Sequence, residues 1–175
     1  MTSKAIDVLE KNKKGFYLLV EGSKVDWAAH ANDPIAIMSE FLAFDKAVGV
    51  AMDYARRMGN TTVIVLPDHG NSGFSIGRSA MKKSYTSMTL EDLFGSVSKY
   101  KRTSIGLADI LKKTEPEKIR AVFNEYTGIE LTDTELKSLS GTTEGDSGDY
   151  MKASQSKNMT NSILAIMNAH STFGF

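Results

Sequence analysis

Glu21, Asp26 and His30 lie close together in FYLLVEGSKVDWAAH (16–30), and Asp68 is followed at once by His69 in VIVLPDHGNSG (63–73). Two of the chain's three histidines therefore stand beside carboxylates in two short stretches. Carboxylate oxygen combined with imidazole nitrogen suits zinc, and oxygen donors alone suit magnesium. The chain has no cysteine, so thiolate sites and disulfides are excluded and any metal must be held by carboxylate and imidazole. A catalytic zinc takes about three protein ligands and keeps one position open. Each stretch offers two zinc-type donors, so further ligands must come from elsewhere. Each residue also has a plainer use: a strand-end aspartate caps the next helix, a histidine after aspartate sits solvated in a loop, and Glu21 is a surface acid. The matching positions of the two clusters raise the metal reading to equal standing with the plainer one.

The elements that must position these residues follow from the pattern around them. Both clusters come behind short apolar runs, FYLLV (16–20) and TTVIVL (61–66), rich in strand formers and too short for helices. Between them Ile35, Met38, Phe41, Leu42, Val48, Ala51, Met52, Ala55 and Met58 recur at helical spacing. Asp33 is placed to cap that helix, Pro34 to occupy its first turn and Gly59 to end it. Strand, helix, strand in this order implies a right-handed parallel crossover. Ligands of parallel sheets bind where the strands' carboxyl ends open, which is where the two clusters fall. Asp26 and His30 share a face if residues 23–30 are helical.

Ahead of the first run, residues 2–14 read as a helix with Thr2 or Ser3 as cap, ended by Gly15. After Gly73 the texture turns helical. Thr89 is a cap for TLEDLF, and SIGLADILKK reads as a helix. Thr114 with Glu117, and Thr132 with Glu135, have capping-box spacing. The polar, glycine-rich stretch 140–149 reads as a loop, and 155–170 as a last amphipathic helix. The expected organisation is a metal-binding βαβ portion over 1–73 and a helical insert or cap with its terminal helix over 74–175. A two-stranded parallel sheet is marginal by itself, so more strands are expected from outside the 175 residues.

Composition limits the alternatives. With 21 basic and 21 acidic residues the chain has no global basic field for nucleic acid or anionic membrane. Its 41% apolar content is ordinary, and no apolar run nears the ~20 residues of a membrane span. No signal peptide is visible at the amino terminus; Met1 can equally be a start placed inside a longer protein.

Three segments carry a family resemblance: GFYLLVEGSKVDWAAH, the helix FLAFDKAVGVAMDYARRMGNTTVIV, and PDHGNSG. They resemble the alkaline phosphatase family, whose Glu-Gly-x-x-x-Asp-x-x-x-His element and strand-end Asp-His pair they match in order and spacing over about residues 1–73. EYTGIELTDTEL and ILAIMNAHSTFGF also resemble segments of bacterial members. The resemblance implies an α/β fold: a partial alkaline-phosphatase-like sheet, a βαβ unit with parallel strands, plus a mostly helical insert. It implies that Glu21 binds magnesium in a third metal site, that Asp26 and His30 bind a first zinc, and that Asp68 and His69 bind a second. Trp27 stands where members vary and is expected to flank the substrate's phosphate.

In the family, two zincs about 4 Å apart clamp the phosphate of a monoester while a serine forms a phosphoserine that is then hydrolysed. The chain departs from that pattern. The nucleophile motif Asp-Ser-Ala/Ser is missing, so no catalytic residue is assigned; Asp146-Ser147 lies on the wrong side of the metal motifs. The phosphate-clamping arginine and one further aspartate ligand are missing too. The sequence reaches HSTFGF without the Gly-His-Thr-Gly that supplies the last zinc ligand, and His170 matches a histidine ahead of that motif. The expectation is a portion of a metal-dependent phosphomonoesterase, inactive alone, with a periplasmic or exported parent by analogy and a homo-oligomeric state. The alternatives are another enzyme of the superfamily (phosphomutase, sulfatase or phosphodiesterase) and a non-catalytic structural or interaction fragment.

Overall fold

The structure, a computed structural model, describes residues 1–79, 81–140 and 158–175. The expected loop at 141–149, with Asp146-Ser147, and the first residues of the expected last helix, 155–157, lie outside the described residues. Along the chain come α1 (Thr2–Leu9), α2 (Ser23–His30), α3 (Pro34–Met58), β1 (Ser75–Ile76), α4 (Leu90–Phe94), α5 (Ser104–Leu111), α6 (Ile119–Thr127), α7 (Asp133–Ser140), α8 (Met159–Ala169) and β2 (Phe173–Gly174). No helix among the described residues is long and apolar enough to cross a membrane.

Local chemistry accounts for most helix ends. Asp33 caps α3 by accepting from the Ala36 N–H at 2.9 Å, Pro34 fills the first turn, and Gly59 closes it at φ 70° with its N–H on Ala55 O. Pro34 loses nothing there because a first-turn N–H has no helical partner, and glycine adopts the left-handed end without a Cβ penalty. The 25-residue α3 is roughly 37 Å long at 1.5 Å per residue. Thr89 and Asp92 form a reciprocal capping box on α4, and Thr132 does the same with Glu135 on α7. The expected box at Thr114 is not made: the Thr114 hydroxyl donates back to Ile110 O, and a 3₁₀ turn, Pro116–Lys118, precedes α6. Proline pushes the residue before it out of the helical region, and Glu115 sits at ψ 139°, so no helix can start from Thr114. Nor does Thr2 or Ser3 cap α1; both lie inside the helix, and Met1 is its cap residue.

The two apolar runs form no ladder. Residues 16–20 and 61–66 carry no strand, and the sheet found among the described residues is the antiparallel pair β1–β2, with Ser75 opposite Gly174 and Ile76 opposite Phe173. The runs are also not covered by the rest of the described residues: Tyr17, Leu19, Ile64 and Leu66 are each at least 69% exposed. Parallel strands need cover on both faces and several neighbours, and these residues provide neither.

The main core lies instead among α5, α6, α7 and α8, where Leu107, Leu111, Phe123, Leu139, Ile163 and Met167 are buried to 2% exposure or less. A smaller apolar contact, Ala28 and Ala29 against Ala36 and Ile37, joins α2 to α3, and α1 also packs on α3. The small side chains let the α2 and α3 backbones approach closely. Phe74 packs against both clusters and, with Phe173 and Phe175 at ring distances of 5.2 and 5.5 Å, ties β1 and β2 to them.

Candidate metal centre

Helix α2 is the platform of the centre. Gly22 precedes it with its backbone against the Phe44 ring of α3; a Cβ at 22 would lie 3.0 Å from two ring carbons, so a side chain there would displace the helix or the ring. At the other end the chain turns through Asn32, in the left-handed region at φ 55°, and the Asp33 N–H donates to Ala28 O. Two helices from the far half hold that turn: Ser104 of α5 donates to Asp33, and Asn168 of α8 donates its Nδ2 to Asn32 O at 3.0 Å.

On this platform Asp26 and His30 sit four residues apart on one face, with Asp26 Oδ2 3.5 Å from His30 Nε2. The 67–73 loop brings the second cluster to the same carboxylate: His69 Nε2 lies 3.7 Å from Asp26 Oδ1 and 3.5 Å from Asp68 Oδ2. Four of the five expected metal ligands are thus joined through Asp26. Glu21 is not joined to them; it is exposed and makes no hydrogen bond or ion pair among the described residues. Trp27 is 38% exposed, with the Lys24 ammonium 3.8 Å from its ring centroid. His170 lies elsewhere, its Nε2 2.8 Å from Glu135 Oε1 at the start of α7.

The donors fit a zinc in kind and in pairwise spacing. Ligands of one tetrahedral zinc, with bonds of about 2.0–2.1 Å, lie roughly 3.3–3.4 Å apart, close to the Asp26–His30 and Asp68–His69 separations. The His69 ring is also set for it: Nδ1 lies 3.0 Å from Gly70 O, and a carbonyl can only accept, so the neutral ring turns the lone pair of Nε2 toward the carboxylates. That hydrogen bond, followed by the charge of Asp68, holds the His69 pKa above its ordinary value; an opposing desolvation comes next and the charge of Asp26 adds least. The number of donors is what falls short. Among the described residues no three histidine or carboxylate groups converge to hold one ion. The arrangement is two half-sites of two donors, open to solvent, with Asp26 and His69 as neighbours between them.

Asn71 had not stood out in the sequence. Its Nδ2 donates to Asp26 Oδ1 at 2.7 Å, across 45 residues, while its Oδ1 accepts from the Ser72 N–H at 2.7 Å. In the sequence it reads only as one of several turn formers after His69.

The class of protein is given by comparison with known proteins. The family model for alkaline phosphatase matches residues 1–145, and the chain belongs to the alkaline phosphatase family. Alkaline phosphatase 4 of Bacillus subtilis (strain 168) is 34% identical to it over 175 residues, covering all of this chain and 34% of that protein. Alkaline phosphatase 3 of the same strain is 31% identical over 176 residues, covering 100% of this chain and 35% of that protein. The crystal structure of a cold-active alkaline phosphatase from the psychrophile Shewanella sp. matches with a TM-score of 0.78 at 28% identity, over 99% of this chain and 39% of that one. The chain spans about a third of the length of these curated relatives.

Proposed function

We propose that the chain is the metal-binding portion of a phosphatase acting on phosphate monoesters, and that it supplies two zinc half-sites and a magnesium ligand to a site completed by residues outside these 175. The observation that carries this is the pair of 3.5 Å contacts, Asp26–His30 and Asp68–His69, joined by the 3.7 Å approach of His69 to Asp26. Asp26 and His30 hold a first zinc, Asp68 and His69 a second, and Glu21 a magnesium. When bound, the ions supply charge neutralisation for a transferring phosphoryl group and lower the pKa of a coordinated oxygen. The chain's own part is orientation: α2 fixes Asp26 and His30 on one face, Gly70 O fixes the His69 ring, and Trp27 flanks the ester's phosphate. With no nucleophile assigned, the chain alone hydrolyses no ester.

In the complete protein, residues 16–20 and 61–66 are neighbouring parallel strands whose open edges pair with further strands and whose faces are covered by helices. In the isolated chain the same apolar runs, with their unpaired backbone, associate with a second copy.

Zinc titration of the metal-free chain by calorimetry tests the site. Saturable binding at two sites is expected, one lost in His30→Ala and the other in His69→Ala. A folded chain that takes up no zinc, or that binds it equally well without both imidazoles, would refute the assignment. A parallel assay with p-nitrophenyl phosphate and excess zinc is expected to show no hydrolysis above buffer.

A further inference from the structure

The structure assigns to Asn71 the role of a positioning residue for Asp26: its carboxamide donates to one carboxylate oxygen and so fixes which oxygen faces which imidazole. This inference rests on the zinc reading of the site. Asp26 is the donor both half-sites touch, since Oδ2 faces His30 at 3.5 Å and Oδ1 faces His69 at 3.7 Å. Its side chain is 35% exposed, so packing alone does not hold its terminal torsion. An aspartate's last torsion is broad and roughly two-fold, and an untethered carboxylate would exchange its two oxygens freely. Asn71 Nδ2 removes that freedom with a 2.7 Å bond to Oδ1, and it also lies 3.3 Å from the Asp26 backbone oxygen.

Asn71 is itself held. Its Oδ1 accepts from the Ser72 N–H at 2.7 Å, and the Gly73 N–H donates to its backbone oxygen at 2.8 Å. Ser72 and Gly73 are both in the left-handed region, at φ 56° and 70°, so the chain folds back tightly just behind Asn71. The amide cannot rotate by 180° without losing both contacts, because its oxygen is engaged by a donor and its nitrogen by acceptors. The same bond also carries structure between the clusters. It joins the 67–73 loop to α2 directly, whereas the imidazole–carboxylate approaches of 3.5–3.7 Å are longer than hydrogen bonds. A ligand-orienting partner of this kind is worth about 10–100-fold in metal affinity.

Two substitutions separate positioning from turn formation. Asn71→Asp keeps the acceptor for Ser72 N–H but loses the donor to Asp26; Asn71→Leu loses both. Calorimetric zinc titration of the unsubstituted chain and both variants is expected to give a 10–100-fold weaker association for each, with circular dichroism verifying the fold. The metal-free chain gives a second readout: the Asn71 side-chain amide resonances should move toward solvent-exposed values in Asp26→Ala. Unchanged or tighter zinc binding by Asn71→Asp would overturn the assignment to Asn71 while leaving the zinc reading intact. Absence of saturable zinc binding by the unsubstituted chain would overturn both.

Discussion

Asp33 and Ser104 are both fully buried, and the Asp33 Oδ2 accepts from the Ser104 N–H at 2.9 Å and from its hydroxyl at 2.7 Å. The other oxygen of the same carboxylate caps α3. Three residues beyond His30, one side chain therefore caps α3 and holds the first residue of α5, whose own cap is Thr103. Hydrogen bonds to an ionised acceptor contribute about 1.5–3 kcal/mol each, and a cap about 1 kcal/mol. Asp33→Ala should lower stability by about 3–5 kcal/mol and Ser104→Ala by about 1–2 kcal/mol, measured by urea unfolding. Equal stability of Asp33→Ala and the unsubstituted chain would refute the joint.

The core that supports this arrangement is in the helical half, where Phe123 has no exposed surface. Phe123→Ala should cost about 3–5 kcal/mol and Leu107→Ala about 2–5 kcal/mol. The expected readout is a lower unfolding midpoint with an unchanged denaturant slope. A loss under 1 kcal/mol for Phe123→Ala would mean that this half is not packed as described.

Glu135 provides an acid-side test. Its carboxylate accepts from the Thr132 N–H and hydroxyl, each at 2.8 Å, and approaches His170 Nε2 at 2.8 Å. The Thr132 backbone bond first, then the His170 and Thr132 side-chain bonds, lower its pKa from 4.5 to about 2. Because the folded value is the lower one, its contribution is complete above the unfolded pKa and is lost as pH falls from about 4.5 toward about 2. Glu135→Gln should be about 1 kcal/mol less stable at neutral pH, the size of a lost cap, with the difference shrinking across that acid window. A difference independent of pH would contradict it.

Tyr100 gives the opposite sign at high pH. Burial pushes its phenol from 10.0 to about 12, and its hydroxyl donates to Met167 O at 2.9 Å. A raised folded pKa means stability is fully present below the unfolded value and falls as pH rises from about 10 through about 12. Tyr100→Phe should lose about 1 kcal/mol at neutral pH and show a flatter alkaline limb. Thermal melts from pH 8 to 11 check this; an equally steep limb in the variant would rule Tyr100 out as its source.

The exposed runs predict association. Leu19 and Ile64 are each 75% exposed, on segments that form no ladder among the described residues. Leu19→Lys with Ile64→Lys should shift the isolated chain toward monomer in light scattering at concentrations where the unsubstituted chain is at least dimeric, because lysine on an open edge opposes pairing. A monomeric unsubstituted chain would refute the proposed contact.

Features that act within a few residues were legible in the sequence. Asp33, Pro34 and Gly59 bound α3, Thr89 and Thr132 cap α4 and α7, and the four-residue spacing of Asp26 and His30 puts them on one helical face, because each depends on the immediate backbone alone. Thr114 misled because Pro116 changes the backbone just behind it. The acid–histidine motifs were likewise visible, since each lies within a few residues of sequence and their resemblance to the family is local.

What only the tertiary structure decided is which groups meet across the chain. Asn71 reaches Asp26 over 45 residues and Ser104 reaches Asp33 over 71, and no period or local propensity encodes either contact. The apolar runs at 16–20 and 61–66 show the converse. Their composition reads as strand-like, but a strand is made by hydrogen bonds to neighbours, and neither run forms a ladder among the described residues. The sequence by itself determined the carboxylates and imidazoles and their spacing. Folding decided that Asp26 is the carboxylate on which both clusters converge, because that depends on how the 67–73 loop packs against α2.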